Sequence, residues 1–229
     1  MHKQQIIGGV LLAAIVGILF FSGPLGASAA LLQTMTPTPA GVMLFEDDFA
    51  TYSQRWHEAA SPKAEAAYRD GMFNIRIVSP GVSLWSLPDF TTTLDRYTLE
   101  VTMQFLGGSA DSQFGLLLGY TSDEAFFALL LSAQGEWFWG QRSGGDWITV
   151  PLEAIDPPSP VGESPLHLRV DILENTLSFA LDDQESETIS LPVDWAGGRF
   201  GLIARAGHGY ADVVFDDVIV MNLTETIQP

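Results

Sequence analysis

The sequence predicts an all-β chain: an antiparallel two-sheet β-sandwich with jelly-roll connections, preceded by an N-terminal apolar signal helix. Three observations carry this expectation. Apolar residues alternate with period two from residue 43 onward, turn dipeptides recur at short intervals, and no long stretch keeps the 3.6-residue period of a helix.

Residues 1–29 have the three parts of an export signal. Lys3 and the terminal amine make the positive end. Ile6–Phe21 is an unbroken run of apolar residues and Gly, and Ala27-Ser28-Ala29 offers small residues to a peptidase. An uncleaved signal anchor is the alternative. The run from 6 to 21 spans about 24 Å as a helix, short of the roughly 30 Å hydrocarbon core. Either way, the body is expected outside the cytoplasmic membrane, secreted or held only by this segment. Residues 30–42 form a Thr/Pro-rich linker whose Thr36-Pro37-Thr38-Pro39 favours an extended chain. The sandwich is expected over 43–222, with a short tail over 223–229.

Within the body, Phe73, Ile75 and Ile77 alternate with Asn74 and Arg76, just after an Asp70-Gly71 hairpin signal. Tyr97, Leu99, Val101, Met103 and Phe105 point one way along the next strand, opposite Thr98, Glu100, Thr102 and Gln104. Phe114–Tyr120 and Ala125–Ser132 are apolar on both faces. Such strands are either covered on both sides or line a groove with one of them. Trp137 and Trp139 share a face and Phe138 takes the other. Leu166, Leu168, Val170 and Ile172 alternate with His167, Arg169 and Asp171. Twelve to fourteen short strands are expected, with a Pro-rich surface loop over 156–165.

Composition narrows the function. Lys+Arg 10 against Asp+Glu 28 sets a formal charge of −18. Removing 1–29 takes away only Lys3, leaving 9 − 28 = −19. So acidic a surface opposes nucleic acid and direct docking on anionic lipid. Without Cys there are no disulfides, thiolate metal sites or thiol nucleophiles. A glycosidase needs two carboxyls at roughly 5–9.5 Å, and no strand carries a Glu-x-Asp-x-Glu or Glu-x-Asp-x-x-Glu spacing that would supply them. No Gly-x-Ser-x-Gly elbow accompanies His57, His167 and His208.

The order of motifs is similar to that of the concanavalin A-like lectin/glucanase superfamily, in its laminin G-like form from exported bacterial proteins. The resemblance rests on Leu44-Phe45-Glu46-Asp47-Asp48-Phe49, Arg55-Trp56, Tyr68-Arg69-Asp70-Gly71-Met72-Phe73-Asn74-Ile75, Phe114-Gly115-Leu116, Gly135-Glu136-Trp137-Phe138-Trp139, Phe200-Gly201-Leu202 and Val214-Phe215-Asp216-Asp217-Val218. It covers about 43–222 and implies a jelly roll. It further implies glycan binding in many members and structural calcium in some. The chain departs from the pattern at Asp182-Asp183, where Asn-Gly is usual, and at Phe138, where a polar residue is usual.

Two groups of candidate site residues follow. Sugars stack on flat rings, and Phe138, Tyr120, Phe126, Trp85 and Trp147 are the candidate ligand-contacting residues. The competing expectation is that they are ordinary core. Pairing of the first and last strands would gather Asp47 and Asp48 with Asp216 and Asp217, a candidate calcium set. Asp217 is expected to point inward in the register of Val213 and Phe215. No catalytic residue is assigned. The expected function is an exported, non-catalytic binding module for a glycan or cell-surface polymer. The alternative is a structural or protein-interaction domain of the cell envelope, and glycoside hydrolysis ranks below both.

Overall fold

The computed structural model describes residues 41–152, 161–186, 188–192 and 195–223. The segment expected to be an export signal, nearly all of the linker, half of the Pro-rich loop and nearly all of the tail lie outside them. Among the described residues there is no helix, and the strands form two antiparallel sheets.

One sheet holds β1 (Val42–Asp47), β2 (Ala59–Ala60), β3 (Ala64–Arg69), β4 (Met72–Ile77), β6 (Tyr97–Gly108), β11 (Leu166–Leu173), β12 (Thr176–Leu181), β13 (Gln184–Glu185), β14 (Ile189–Ser190) and β16 (Ala211–Asn222). The other holds β5 (Ser83–Ser86), β7 (Gln113–Ser122), β8 (Ala125–Ser132), β9 (Trp137–Ser143), β10 (Asp146–Leu152) and β15 (Arg199–Arg205), in the order β10-β9-β8-β7-β15-β5. The strands outnumber expectation because β2, β13 and β14 are two-residue pairings too short to leave a pattern. As the jelly-roll expectation requires, β1 pairs with β16, Asp47 opposite Val218.

Local chemistry explains the tightest connections. Asp70 and Gly71 both have positive φ (51° and 78°), the geometry of a type I′ turn, and join β3 to β4. Asp182 and Asp183 adopt the same sign (47° and 67°) between β12 and β13, so two aspartates serve where Asn-Gly is commoner.

The core fills the space between the sheets. Tyr97, Leu99, Val101 and Met103 from β6 and Leu166, Leu168, Val170 and Ile172 from β11 face Phe114, Leu116 and Leu118 from β7 and Leu129 and Leu131 from β8. Trp137 is buried in the same core and packs on Phe179, while Trp139 leans against it, as their shared parity predicts. At one end Phe45, Trp56, Phe90 and Phe200 meet edge to face, a geometry worth about 0.5–1.5 kcal/mol per pair beyond area burial. Apart from Trp139 and its neighbours, β7 and β8 have a second apolar face to account for, and that face is the outer one.

Candidate ligand-binding face

The residues of β7 and β8 that point away from the core form a second apolar cluster of Leu117, Phe126, Ala128 and Leu130, joined by Ile203 of β15. This is the outer face of the six-stranded sheet. Parity and register place the rest. Trp147 lies opposite Arg142, Arg142 opposite Phe126, and Ile203 opposite Trp85. Trp85, Leu87, Tyr120, Phe138 and Trp147 pack over the cluster, each half-buried. All five rings singled out in the sequence therefore stand on one face, contributed by β5, β7, β8, β9 and β10.

Phe126 is the hub. Its ring centroid is 5.2 Å from Trp85, 5.5 Å from Trp147 and 6.1 Å from Tyr120. With 2% of its surface exposed, Phe126 is a floor beneath the other rings rather than a surface contact. Gly140 makes room for the arrangement, since a Cβ there would lie 2.7 Å from Cζ2 of Trp147.

Two arginines that sequence reading missed complete the face. Arg142 of β9 lies over Trp85 at 5.5 Å, and Arg205 of β15 lies over Trp147 at 4.6 Å. Each stacks on the tryptophan from the far side of the sheet. In a flat sheet β15 and β10 would be four strand spacings apart, roughly 19 Å. The contact therefore requires side chains leaning toward each other across a face that curls around Phe126. Arg205 donates from Nε to Ser83 Oγ (3.1 Å) and from Nη1 to Gln113 Oε1 (2.9 Å). Desolvation lowers its pKa to about 10. Arg142 Nε and Trp147 Nε1 are buried without a hydrogen-bond partner. The Tyr120 hydroxyl donates to Asp123 (2.9 Å), and burial, followed by that hydrogen bond, raises its pKa. The missed signal was alternation: Arg205 follows Ile203, and Arg142 follows Phe138 and Gly140, at steps of two.

Among the described strand positions of this face there is no carboxylate, the nearest acid being Asp123, in the turn after β7, on the Tyr120 hydroxyl. The strand positions sharing it are Ser83 and Trp85, Gln113 and Leu117, Phe126 to Ser132, Phe138 to Arg142, Trp147 to Pro151, and Gly201 to Arg205, taken at alternate residues. None is Asp or Glu. On the outer face of the other sheet, by contrast, Arg76 meets Asp212 at 3.7 Å and Arg169 meets Asp171 at 3.1 Å.

The four terminal acids do come near one another. Burial first, then the charges of Asp217, Asp48 and Asp47, pushes the Asp216 pKa up. Their orientations differ from expectation. β16 bulges between Asp216 and Ile219, and Asp217 takes φ 49°. The extra residue flips the parity, so Val218 and Val220 enter the core and Asp217 faces out, correcting its expected inward direction. Asp47 is buried with both oxygens engaged, accepting from Phe49 N (3.0 Å) and Ser53 Oγ (2.9 Å). Asp48 accepts from Ala50 N at 3.1 Å. Among the described residues no three His, Cys, Asp or Glu side chains are grouped to hold a metal ion.

A cleft of about 520 Å³ lies between the Tyr52–Glu58 segment, Leu87–Asp89 and Arg199, and shares Leu87 with the aromatic face. His57 lines this cleft. His167 stands 3.8 Å from Glu100, and His208 pairs with Asp111 across two loops.

The architecture is the concanavalin A-like jelly roll. The carbohydrate-binding module CBM66 from Bacillus subtilis superposes with a TM-score of 0.58 at 16% identity, covering 73% of this chain and 95% of its own. The β-glucanase of Bacillus licheniformis gives 0.59 at 11% identity, over 80% and 99%. A Bacillus subtilis protein of unknown function with a galectin-like fold gives 0.59 at 13%, over 80% and 96%. At these identities the likeness is one of fold. No family model and no curated protein matches the sequence.

Proposed function

We propose that this chain is an exported binding module that receives a glycan or cell-surface polymer on the outer face of its six-stranded sheet and does not cleave it. The observation that carries the reading is the gathering of Trp85, Tyr120, Phe138 and Trp147 over Phe126 on a face away from the core. Aromatic rings on a solvent-side sheet face offer the flat apolar surfaces on which sugars stack, and half-burial leaves part of each ring available. A fold shared with a carbohydrate-binding module and a β-glucanase supports the ligand class. The lack of any carboxylate at the strand positions of the face supports binding without hydrolysis, because both glycosidase mechanisms need a pair of carboxyls. The Ile6–Phe21 segment supports export.

Retention on insoluble and immobilised polysaccharides, followed by reducing-sugar release, tests the proposal. Retention without release is the expected result. A folded protein retained on no polymer refutes the binding reading, and sustained release of sugar ends refutes the non-catalytic one. The reading of a structural or protein-interaction domain of the envelope is favoured by one observation: the rings already pack on each other and on two arginines. It expects no retention, and it expects Trp147→Ala to alter stability alone.

A further inference from the structure

We infer that the polymer received on this face is acidic, its carboxylate or sulfate groups taken by the guanidinium edges of Arg142 and Arg205. The inference rests on the binding role proposed above and adds the ligand's charge.

The argument starts from an imbalance. A chain of net charge −18 has few cations to place. Elsewhere, arginines such as Arg69, Arg76 and Arg169 lie against carboxylates. Arg142 and Arg205 do not: among the described residues neither forms an ion pair, and no strand position on their face supplies an acid. Both are half-buried, so each charge has lost water without gaining a counter-charge, an arrangement that costs stability.

Stacking explains how such a cation can still serve a ligand. A guanidinium held over an indole by a cation–π contact can still direct N–H donors at a ligand, and a carboxylate or sulfate binds two at a time. Among the described residues Arg205 leaves Nη2 uncommitted after its bonds to Ser83 and Gln113, and Arg142 Nε has no hydrogen-bond partner. The two cations flank one apolar floor, because the tryptophans beneath them both contact Phe126. A chain of sugars with one ring on Tyr120 or Phe138 would bring its acidic substituents past both. The remainder of the protein repels polyanions, so retention by one would have to arise locally.

The test compares polymers differing only in charge: dextran with dextran sulfate, and polygalacturonate with its full methyl ester, all in EDTA so that no divalent cation bridges. Affinity electrophoresis should retard the protein on at least one acidic polymer tenfold more strongly than on its neutral counterpart. Retardation by dextran sulfate alone assigns sulfate, and by polygalacturonate alone assigns carboxylate. Arg142→Gln should weaken acidic binding about tenfold to a hundredfold, the worth of a charge-assisted bond, and leave the melting temperature within a few degrees. Thr149→Glu, on the same face diagonal to Arg142, should do the same by supplying an internal counter-charge. Equal retention on neutral and acidic polymers overturns the inference while the glycan reading stands. Retention on none of the four also overturns the inference, and the wider polysaccharide panel then decides the glycan reading. An acidic preference untouched by both substitutions overturns the assignment to this face.

Discussion

Gly140→Ala separates the geometry of the aromatic face from the stability of the fold. Gly140 is buried on β9 between Ala128 and Thr149, and its backbone lies outside the left-handed region, so alanine adds no backbone strain. Its new Cβ would stand 2.7 Å from Cζ2 and 3.0 Å from Cη2 of Trp147. Those atoms are the far end of a side chain, so the indole should swing away before the strand moves. The displaced ring gives up its contact with Phe126, worth about 0.5–1.5 kcal/mol, and its cation–π contact with Arg205, worth about 0.5–2 kcal/mol. Alanine recovers about 0.4–1 kcal/mol by restricting the unfolded chain. The net loss is on the order of 1–2 kcal/mol, and at about 2–4 °C per kcal/mol the melting temperature should fall by roughly 2–8 °C. Circular dichroism melting measures this, with tryptophan emission reporting the ring. The decisive comparison is a double-mutant cycle. In a Trp147→Ala background the collision is gone, and Gly140→Ala should become neutral or stabilising. An equal loss in both backgrounds would show that the cost lies in the strand, and the account of Gly140 as the seat of Trp147 would fail.

Two acids titrate with opposite consequences. Burial raises the Asp216 pKa above that of the unfolded chain, so ionisation lowers stability as pH rises through the folded value. Asp216→Asn should therefore raise the melting temperature at pH 7, with the gain vanishing below the ordinary carboxylate range; a gain independent of pH would contradict it. Asp111 is held lower by the backbone N–H of His208, which reaches both its oxygens at 3.1 Å, and by the His208 ring. Its contribution is present above the unfolded pKa and lost as pH falls through the folded one. Asp111→Asn should lower the melting temperature at pH 6, and the gap should close toward pH 2. A constant gap would mean the charge plays no part.

Much of this protein could be read locally. Period-two alternation assigned the faces of β4, β6 and β11, because side-chain direction in a strand depends only on residue parity. The Asp70-Gly71 turn was legible because two consecutive positive φ values call for such residues. The double apolarity of β7 and β8 announced that something lies on both sides of that sheet, and the aromatic candidates followed from it.

Tertiary structure alone decided the rest. Parity could not carry past the bulge at Asp216 and Asp217, where one extra residue exchanges inside for outside. Nor could it say that Trp85, Phe126 and Trp147 meet, since they lie on β5, β8 and β10, and only the strand order and the curl of the sheet bring their rings together. Arg142 and Arg205 carry no local sequence signal beyond their outward parity. Their significance depends on the lack of a carboxylate at the described strand positions around them, a property of six strands in register. Alternation is set by the backbone of a few adjacent residues, whereas the closing of this face depends also on pairings as distant in sequence as Trp85 with Ile203.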